Sequence, residues 1–354
     1  MKIAVIGGGI NGIMTAWAGA SAGHSIELFE RARLMRATSS ASSKILHGGL
    51  RYLEYGHFRL VAESLRERAW WVEQAPQFAR PVEFRIPIYS NSRRSQWKVR
   101  LGLALYDFLA SSHRLGDHTW HTAQEMLAAE PTLRSEGLAG GWGFYDALMD
   151  DYALGCWAAC QVQELGVIVH EGVYVERLDE DAGVYVAGER LSFDHVANVA
   201  GPWAEALLKS SHLPHKNHLD LVRGSHIVID EPRAQAYLLQ VPDEDRIFFV
   251  LPFQGKTLIG TTEARQTLDE PVVCSDQEKK YLLDLRNWYF QPARTGNDLV
   301  ESFSGLRPLV SSHPDPSKAS REYVIEKHKR VTTVFGGKWT SARALGKKVI
   351  AKIE

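Results

Sequence analysis

The chain opens on Lys2 and four apolar residues, Ile3-Ala4-Val5-Ile6, a continuous run of the kind that fills a strand covered on both faces in a parallel sheet. Gly7-Gly8-Gly9-Ile10-Asn11-Gly12 follows at once, and Ile13 to Ala22 reads as a helix rich in small residues that Gly23 ends. Ser25 to Phe29 reads as a second strand finishing at Glu30, which completes one βαβ unit. From Glu54 to Glu73 charged and apolar positions alternate with helical spacing; Pro76, Pro81 and Pro87 then break the pattern and mark a crossing into a second domain. Trp97 to Leu109 and Tyr152 to Glu164 read as helices, and Val196 to Val199 as a strand running into Ala200-Gly201-Pro202-Trp203. Strands are expected at His226 to Ile229, Ile247 to Pro252, Thr257 to Ile259, Tyr323 to Ile325 and Val331 to Phe335, with a closing helix from Ser341 to Ile353. The alternation predicts a mixed α/β fold. A discontinuous Rossmann-like domain (1–75, 145–210 and 300–354) carries an inserted strand-rich domain (76–144 and 211–299).

Composition narrows the partners. In 354 residues, 41 Lys+Arg against 42 Asp+Glu leave a net charge of -1, which argues against a nucleic-acid binder. Cys156, Cys160 and Cys274 are too few for a disulfide framework or a zinc site, so no metal is expected and a reducing cytoplasm is. No apolar stretch is long enough to span a bilayer, and four apolar residues before the glycines do not make a signal peptide.

Gly7, Gly9 and Gly12 form a GxGxxG between a strand and a helix: a tight turn, close backbone approach to a pyrophosphate, and close helix–strand contact. The helix N-terminus offers N–H groups to phosphates. Glu30, at the end of the second strand, is placed to accept hydrogen bonds from an adenosine ribose. FAD and NAD share this fingerprint. An NAD domain would continue with further βαβ units, whereas here Thr38-Ser39-Ser40-Ala41-Ser42-Ser43-Lys44 offers small hydroxyl residues along the path of a long dinucleotide. A plain polar loop is the other reading of that run.

These stretches, with Leu46-His47-Gly48-Gly49-Leu50-Arg51-Tyr52-Leu53-Glu54, resemble flavin-dependent glycerol-3-phosphate dehydrogenases. So do Arg223 to Val228, Gly260-Thr261-Thr262-Glu263, Ser304 to Leu309 and Phe335-Gly336-Gly337-Lys338, in the family's order along nearly the whole chain. The resemblance implies a D-amino-acid-oxidase-like fold, noncovalent FAD, and hydride transfer from C2 of sn-glycerol 3-phosphate to flavin N5. It also implies a quinone or dioxygen as electron acceptor.

Carried over by position, the resemblance implies cofactor contacts at Gly7, Gly9, Asn11, Gly12, Glu30, Thr38, Ser39, Ser43, Lys44, His47, Gly48, Gly49, Val173, Ala200, Gly201, Trp203, Gly336, Gly337, Lys338 and Thr340. Arg51, Arg307, Arg321 and Lys338 match its anion-binding positions; a phosphate dianion calls for charge-assisted donors. His226 is the expected general base, since imidazole ordinarily titrates near working pH. In the alternative, His226 only binds substrate and an arginine, Arg307 foremost, or water takes the proton. Tyr52 either hydrogen-bonds substrate or packs as an aromatic; Thr262 is a secondary candidate.

Between Arg85 and Arg100 stand five basic residues and no acid, running into Trp97, Leu101, Leu105 and Phe108 on one helical face. Two readings are open: a peripheral contact with the cytoplasmic face of the inner membrane, or a stripe packed on the core. A homodimer is a further expected partner. The sequence departs from the family in ending at Glu354, before an expected C-terminal helical domain, and in carrying Tyr152-Ala153 after Asp150-Asp151, where Ala-Arg is usual. Thr340-Ser341-Ala342-Arg343 likewise replaces the usual Thr-Thr-aromatic-Arg. Competing readings are a 2-hydroxy acid or amino acid oxidoreductase of the same fold, a flavin-binding subunit without turnover, and an NAD dehydrogenase.

Overall fold

The computed structural model describes residues 1–311 and 323–354. Among these, six strands form one sheet in the order Val324–His328, Val331–Phe335, His195–Asn198, Lys2–Ile6, Ser25–Glu30 and Ile168–Glu171. All are parallel except Val324–His328, which pairs antiparallel with Val331–Phe335. The central strand explains its unbroken apolar run. Ile3 and Val5 join a core under the helices Ile10–Ser21, Asp151–Glu164 and Ala342–Ile353, while Ala4 and Ile6 join one under the helix Ala204–Ser210 and a small sheet. That sheet has three strands, Val175–Leu178, Gly183–Val186 and Glu189–Ser192. Both faces are covered, so alternation is lost.

The second sheet is mixed and runs Ala264–Arg265, Leu219–Ile229, Lys256–Gly260, Ile247–Phe253, Ala236–Gln240, Ala79–Tyr89, Leu138–Met149 and Ile45–Leu46. Leu299–Val310 pairs antiparallel along the whole of Leu219–Ile229. The discontinuous α/β architecture expected from the sequence is therefore present.

Two local expectations are corrected. Pro81 and Pro87 do not break structure: both lie inside the strand Ala79–Tyr89, opposite Ala147 and Gly141. They share a parity, so both missing N–H groups fall on one side, and the strand has a flank that Ala236–Gln240 covers only at Phe84 and Arg85. The stripe on the helix Gln96–Ala110 does not pack on the core either. Val99, Leu103, Tyr106 and Ala110 are buried, while Trp97, Leu101 and Phe108 are 70%, 73% and 75% exposed.

Candidate active site

A cavity of about 680 Å³ receives residues from both sheets. At its dinucleotide turn, a Cβ on Gly12 would stand 1.8 Å from the Gly7 carbonyl oxygen, and one on Gly7 2.6 Å from that of Val199. Only glycine lets strand and helix approach this closely. Glu30 accepts from the N–H of Gly8 at 2.7 Å and of Ala32 at 2.9 Å, which fixes its carboxylate at the cavity wall. The Ser39 hydroxyl accepts from the N–H of Ile10 at 3.0 Å, tying the hydroxyl-rich loop to the first helix. Thr38 Oγ1 donates to the Leu306 carbonyl at 2.7 Å, tying the same loop to the second sheet.

Gly7, Gly9, Asn11, Glu30, Thr38, Ser39 and Ser43 line the cavity, as do Val173, Ala200, Gly201 and Trp203 from the far end of the first sheet. His47, Gly49, Gly337, Lys338 and Thr340 line it too, with Arg51, Tyr52, His226 and Arg307. Gly12, Gly48, Gly336 and Thr262 do not reach it. Gly48 sits behind the wall, its N–H bonded to Tyr106 Oη at 2.7 Å. Thr262 is buried against Glu278, donating to Oε1 at 2.7 Å. Lys44 does not line the cavity either; its ammonium donates to Asp151 Oδ1 at 2.6 Å and the Ser40 carbonyl at 2.8 Å. The expectation at Arg321 lies outside the described residues.

The cationic wall is built by backbone register and stacking. Arg307 donates to the Thr262 carbonyl at 3.0 Å and pairs with Glu263 at 3.5 Å. Lys338 lies over the Tyr52 ring, 4.0 Å from its centroid. Arg51 reaches Tyr55 Oη at 3.3 Å, and its buried Nε has no hydrogen-bond partner among the described residues. His226 is buried, stacked on Phe303, with Nε2 2.9 Å from Ser43 Oγ and Nδ1 without a hydrogen-bond partner among the described residues. Burial, with the positive charges of Arg307 and Lys44, pushes this imidazole down to about 3, far from the near-neutral value expected of it. At neutral pH it is uncharged.

The sequence reading missed several lining residues. Arg31 stacks on Trp203 at 3.7 Å; its position directly after Glu30 was the available signal. Arg246, facing Glu263 at 3.6 Å, carries no local motif. Behind His47 and Gly49, Asp146 takes hydrogen bonds from Arg68 at 2.6 Å and Tyr106 at 2.8 Å. Burial raises its carboxyl above the usual range despite the Arg68 guanidinium.

A family profile described as FAD dependent oxidoreductase matches residues 2–352. The chain belongs to this family. Among its relatives, the aerobic glycerol-3-phosphate dehydrogenase of Escherichia coli (strain K12) is 34% identical over 99% of this chain and 72% of its own length. The D-erythritol 1-phosphate dehydrogenase of Brucella abortus (strain 2308) is 35% identical over 99% of this chain and 73% of its own. The glycerol-3-phosphate dehydrogenase of Bacillus halodurans, solved with FAD, superposes with a TM-score of 0.80 at 25% identity; it covers 100% of this chain, which spans 64% of that one. FAD is thus the cofactor of this family, and the residues present fit it. The glycine turn leaves room that a Cβ would fill, and Asn11 Oδ1 is buried toward the cavity with no partner among the described residues.

Proposed function

We propose that this protein oxidises a small polyol phosphate, sn-glycerol 3-phosphate foremost, to the corresponding ketone, with FAD as the immediate oxidant and a quinone as the onward acceptor. One observation carries the reading: Arg51, Arg307 and Lys338 share a single cavity with uncharged His226 and the dinucleotide turn. The arginines and the lysine hold the phosphate dianion by charge-assisted hydrogen bonds and so position the carbinol. Bound FAD supplies the two-electron acceptor for the hydride leaving carbon. The hydroxyl proton goes to His226. The Ser43 hydroxyl, in the cavity wall 2.9 Å from Nε2, relays it to that nitrogen in the tautomer protonated at Nδ1. The bound dianion raises the basicity of an imidazole that Arg307 and Lys44 otherwise depress.

The proposed division of labour gives residues 1–75, 145–210 and 300–354 to FAD and 76–144 and 211–299 to substrate. The strands Leu138–Met149 and Leu299–Val310 stitch the two together.

We also propose that the helix Gln96–Ala110 rests on an anionic lipid surface. Trp97, Leu101 and Phe108 form an exposed apolar face, the adjoining segment adds half-exposed Tyr55 and Phe58, and Lys98 and Arg100 supply positive charge beside them. Among the described residues no helix is long and apolar enough to cross a membrane.

Anaerobic bleaching of the bound flavin tests the reaction. Glycerol 3-phosphate, erythritol 1-phosphate, D-lactate, L-2-hydroxyglutarate and glycine are added separately. Rapid bleaching by a polyol phosphate alone supports the proposal. Bleaching by a hydroxy acid or amino acid alone would move the assignment to that substrate class.

A further inference from the structure

Away from the cavity, three side chains with metal-ligand chemistry converge beside the first turn of the helix Ala204–Ser210. Glu205 Oε1 lies 3.0 Å from His218 Nδ1 and 3.8 Å from His215 Nε2, and the three ligand atoms all lie within 4.8 Å of one another. Zinc-type bonds of about 2.0–2.1 Å in a tetrahedron place ligand atoms about 3.3 Å apart, so the triad brackets that spacing. We propose that Glu205, His215 and His218 bind one divalent transition-metal ion of the zinc class, with a fourth position open to water.

The surroundings are organised for ligation. His215 Nδ1 is 3.2 Å from the Leu213 carbonyl, and as donor there it leaves the Nε2 lone pair toward Glu205. Its ring also stacks on Phe335. The second oxygen of Glu205 accepts from the Leu219 N–H at 2.7 Å, which orients the carboxylate. Lys209 lies 2.7 Å from Glu205 Oε1, but this side chain is 63% exposed and swings into water at little cost. The His218 side chain is 62% exposed, which leaves an entry path for the ion.

The cysteine count says nothing about a site without thiolates. Two imidazoles and a carboxylate drawn from a helix and the loop after it leave no compact spacing to recognise. The site is independent of the proposed reaction, though the same helix lines the cavity through Ala206, Leu207 and Ser210.

The test uses FAD-loaded protein carrying Cys156→Ser and Cys160→Ser, which removes the two accessible thiols and leaves only the buried Cys274. After chelator dialysis at pH 7.5 it is titrated with Co²⁺, read by visible d–d absorption, and with Zn²⁺, read by thermal midpoint. The expected result is one ion per chain and a raised midpoint. His218→Ala weakens binding by more than about tenfold, as loss of even supporting groups does at metal sites. His212→Ala, an exposed histidine of the same loop, leaves it unchanged. No saturable binding, or binding that persists in His215→Ala/His218→Ala, overturns the proposal. Flavin bleaching by substrate in the metal-free protein tells its failure apart from a failure of the proposed reaction.

Discussion

A histidine held uncharged by burial makes a fold sensitive to acid, and at His226 the size of that effect follows from the structure. Its imidazole ordinarily titrates near 6.5 and is pushed down to about 3 in the fold. Between those values the unfolded chain binds one more proton than the native chain. Stability therefore falls as pH drops through 6.5 and continues to fall toward 3. The limiting slope is about 1.4 kcal/mol per pH unit, and the change from pH 7 to pH 5 comes to about 2 kcal/mol. His226→Asn keeps a polar group beside Ser43 and removes the titration. Urea unfolding of the FAD-loaded proteins, followed by tryptophan fluorescence, gives the difference in stability between wild type and variant at each pH. That difference should shift by about 2 kcal/mol against the wild type between pH 7 and pH 5. His195, which burial pushes down to about 4, is present in both proteins and cancels. Parallel pH curves for the two proteins would refute the reasoning.

Four further outcomes are expected. Gly12→Ala forces a Cβ to 1.8 Å from the Gly7 oxygen, and the protein should purify without flavin absorbance. Arg51→Met should raise KM for the phosphorylated substrate by about 10- to 100-fold while flavin content stays full, as expected for one lost charge-assisted hydrogen bond. Tyr106→Phe strands the Gly48 N–H and two contacts of Asp146, and should lower stability by about 1–3 kcal/mol in urea unfolding. Leu101→Glu with Phe108→Glu should abolish co-flotation with phosphatidylserine vesicles and leave flavin reduction by substrate intact; retained flotation would sink the lipid assignment.

Much of the flavin half was readable because its chemistry is local. A strand, three glycines and an acid within one βαβ unit carry their own structural explanation, and the strands Lys2–Ile6 and Val331–Phe335 follow from runs of apolar and β-branched residues. What escaped depends on partners far along the chain. The prolines of Ala79–Tyr89 were read as breakers because nothing local says that one flank of that strand is nearly bare. The bond that holds the Lys44 ammonium is equally hidden, because its partner, Asp151, stands more than a hundred residues away. The exposed face on Gln96–Ala110 was left between two readings because periodicity shows a stripe and not what covers it.

The same limit explains why the substrate side could be recognised but not built from sequence. His226 and Arg307 meet through strand register. Leu219–Ile229 lies against Leu299–Val310 with Val222 opposite Arg307, Gly224 opposite Gly305 and His226 opposite Phe303. These pairs share one face, and Gly224, Gly305, His226 and Arg307 all line the cavity. The glycine pair stands between the cation and the imidazole. A Cβ on Gly224 would come within 3.0 Å of the Arg307 guanidinium, and one on Gly305 within 2.7 Å of the Ala41 carbonyl in the hydroxyl-rich loop. The two missing side chains thus make room for the Arg307 guanidinium and for the hydroxyl-rich loop at the cavity wall. On the opposite face of the same strand, Arg223 and Ser225 bond Glu278 at 2.9 and 2.8 Å, a buried polar anchor on the helix Asp276–Tyr289. A slip of one residue would carry that anchor into the cavity and turn His226 out of it. The two-sided chemistry of the strand therefore pins the register on which the proposed reaction depends.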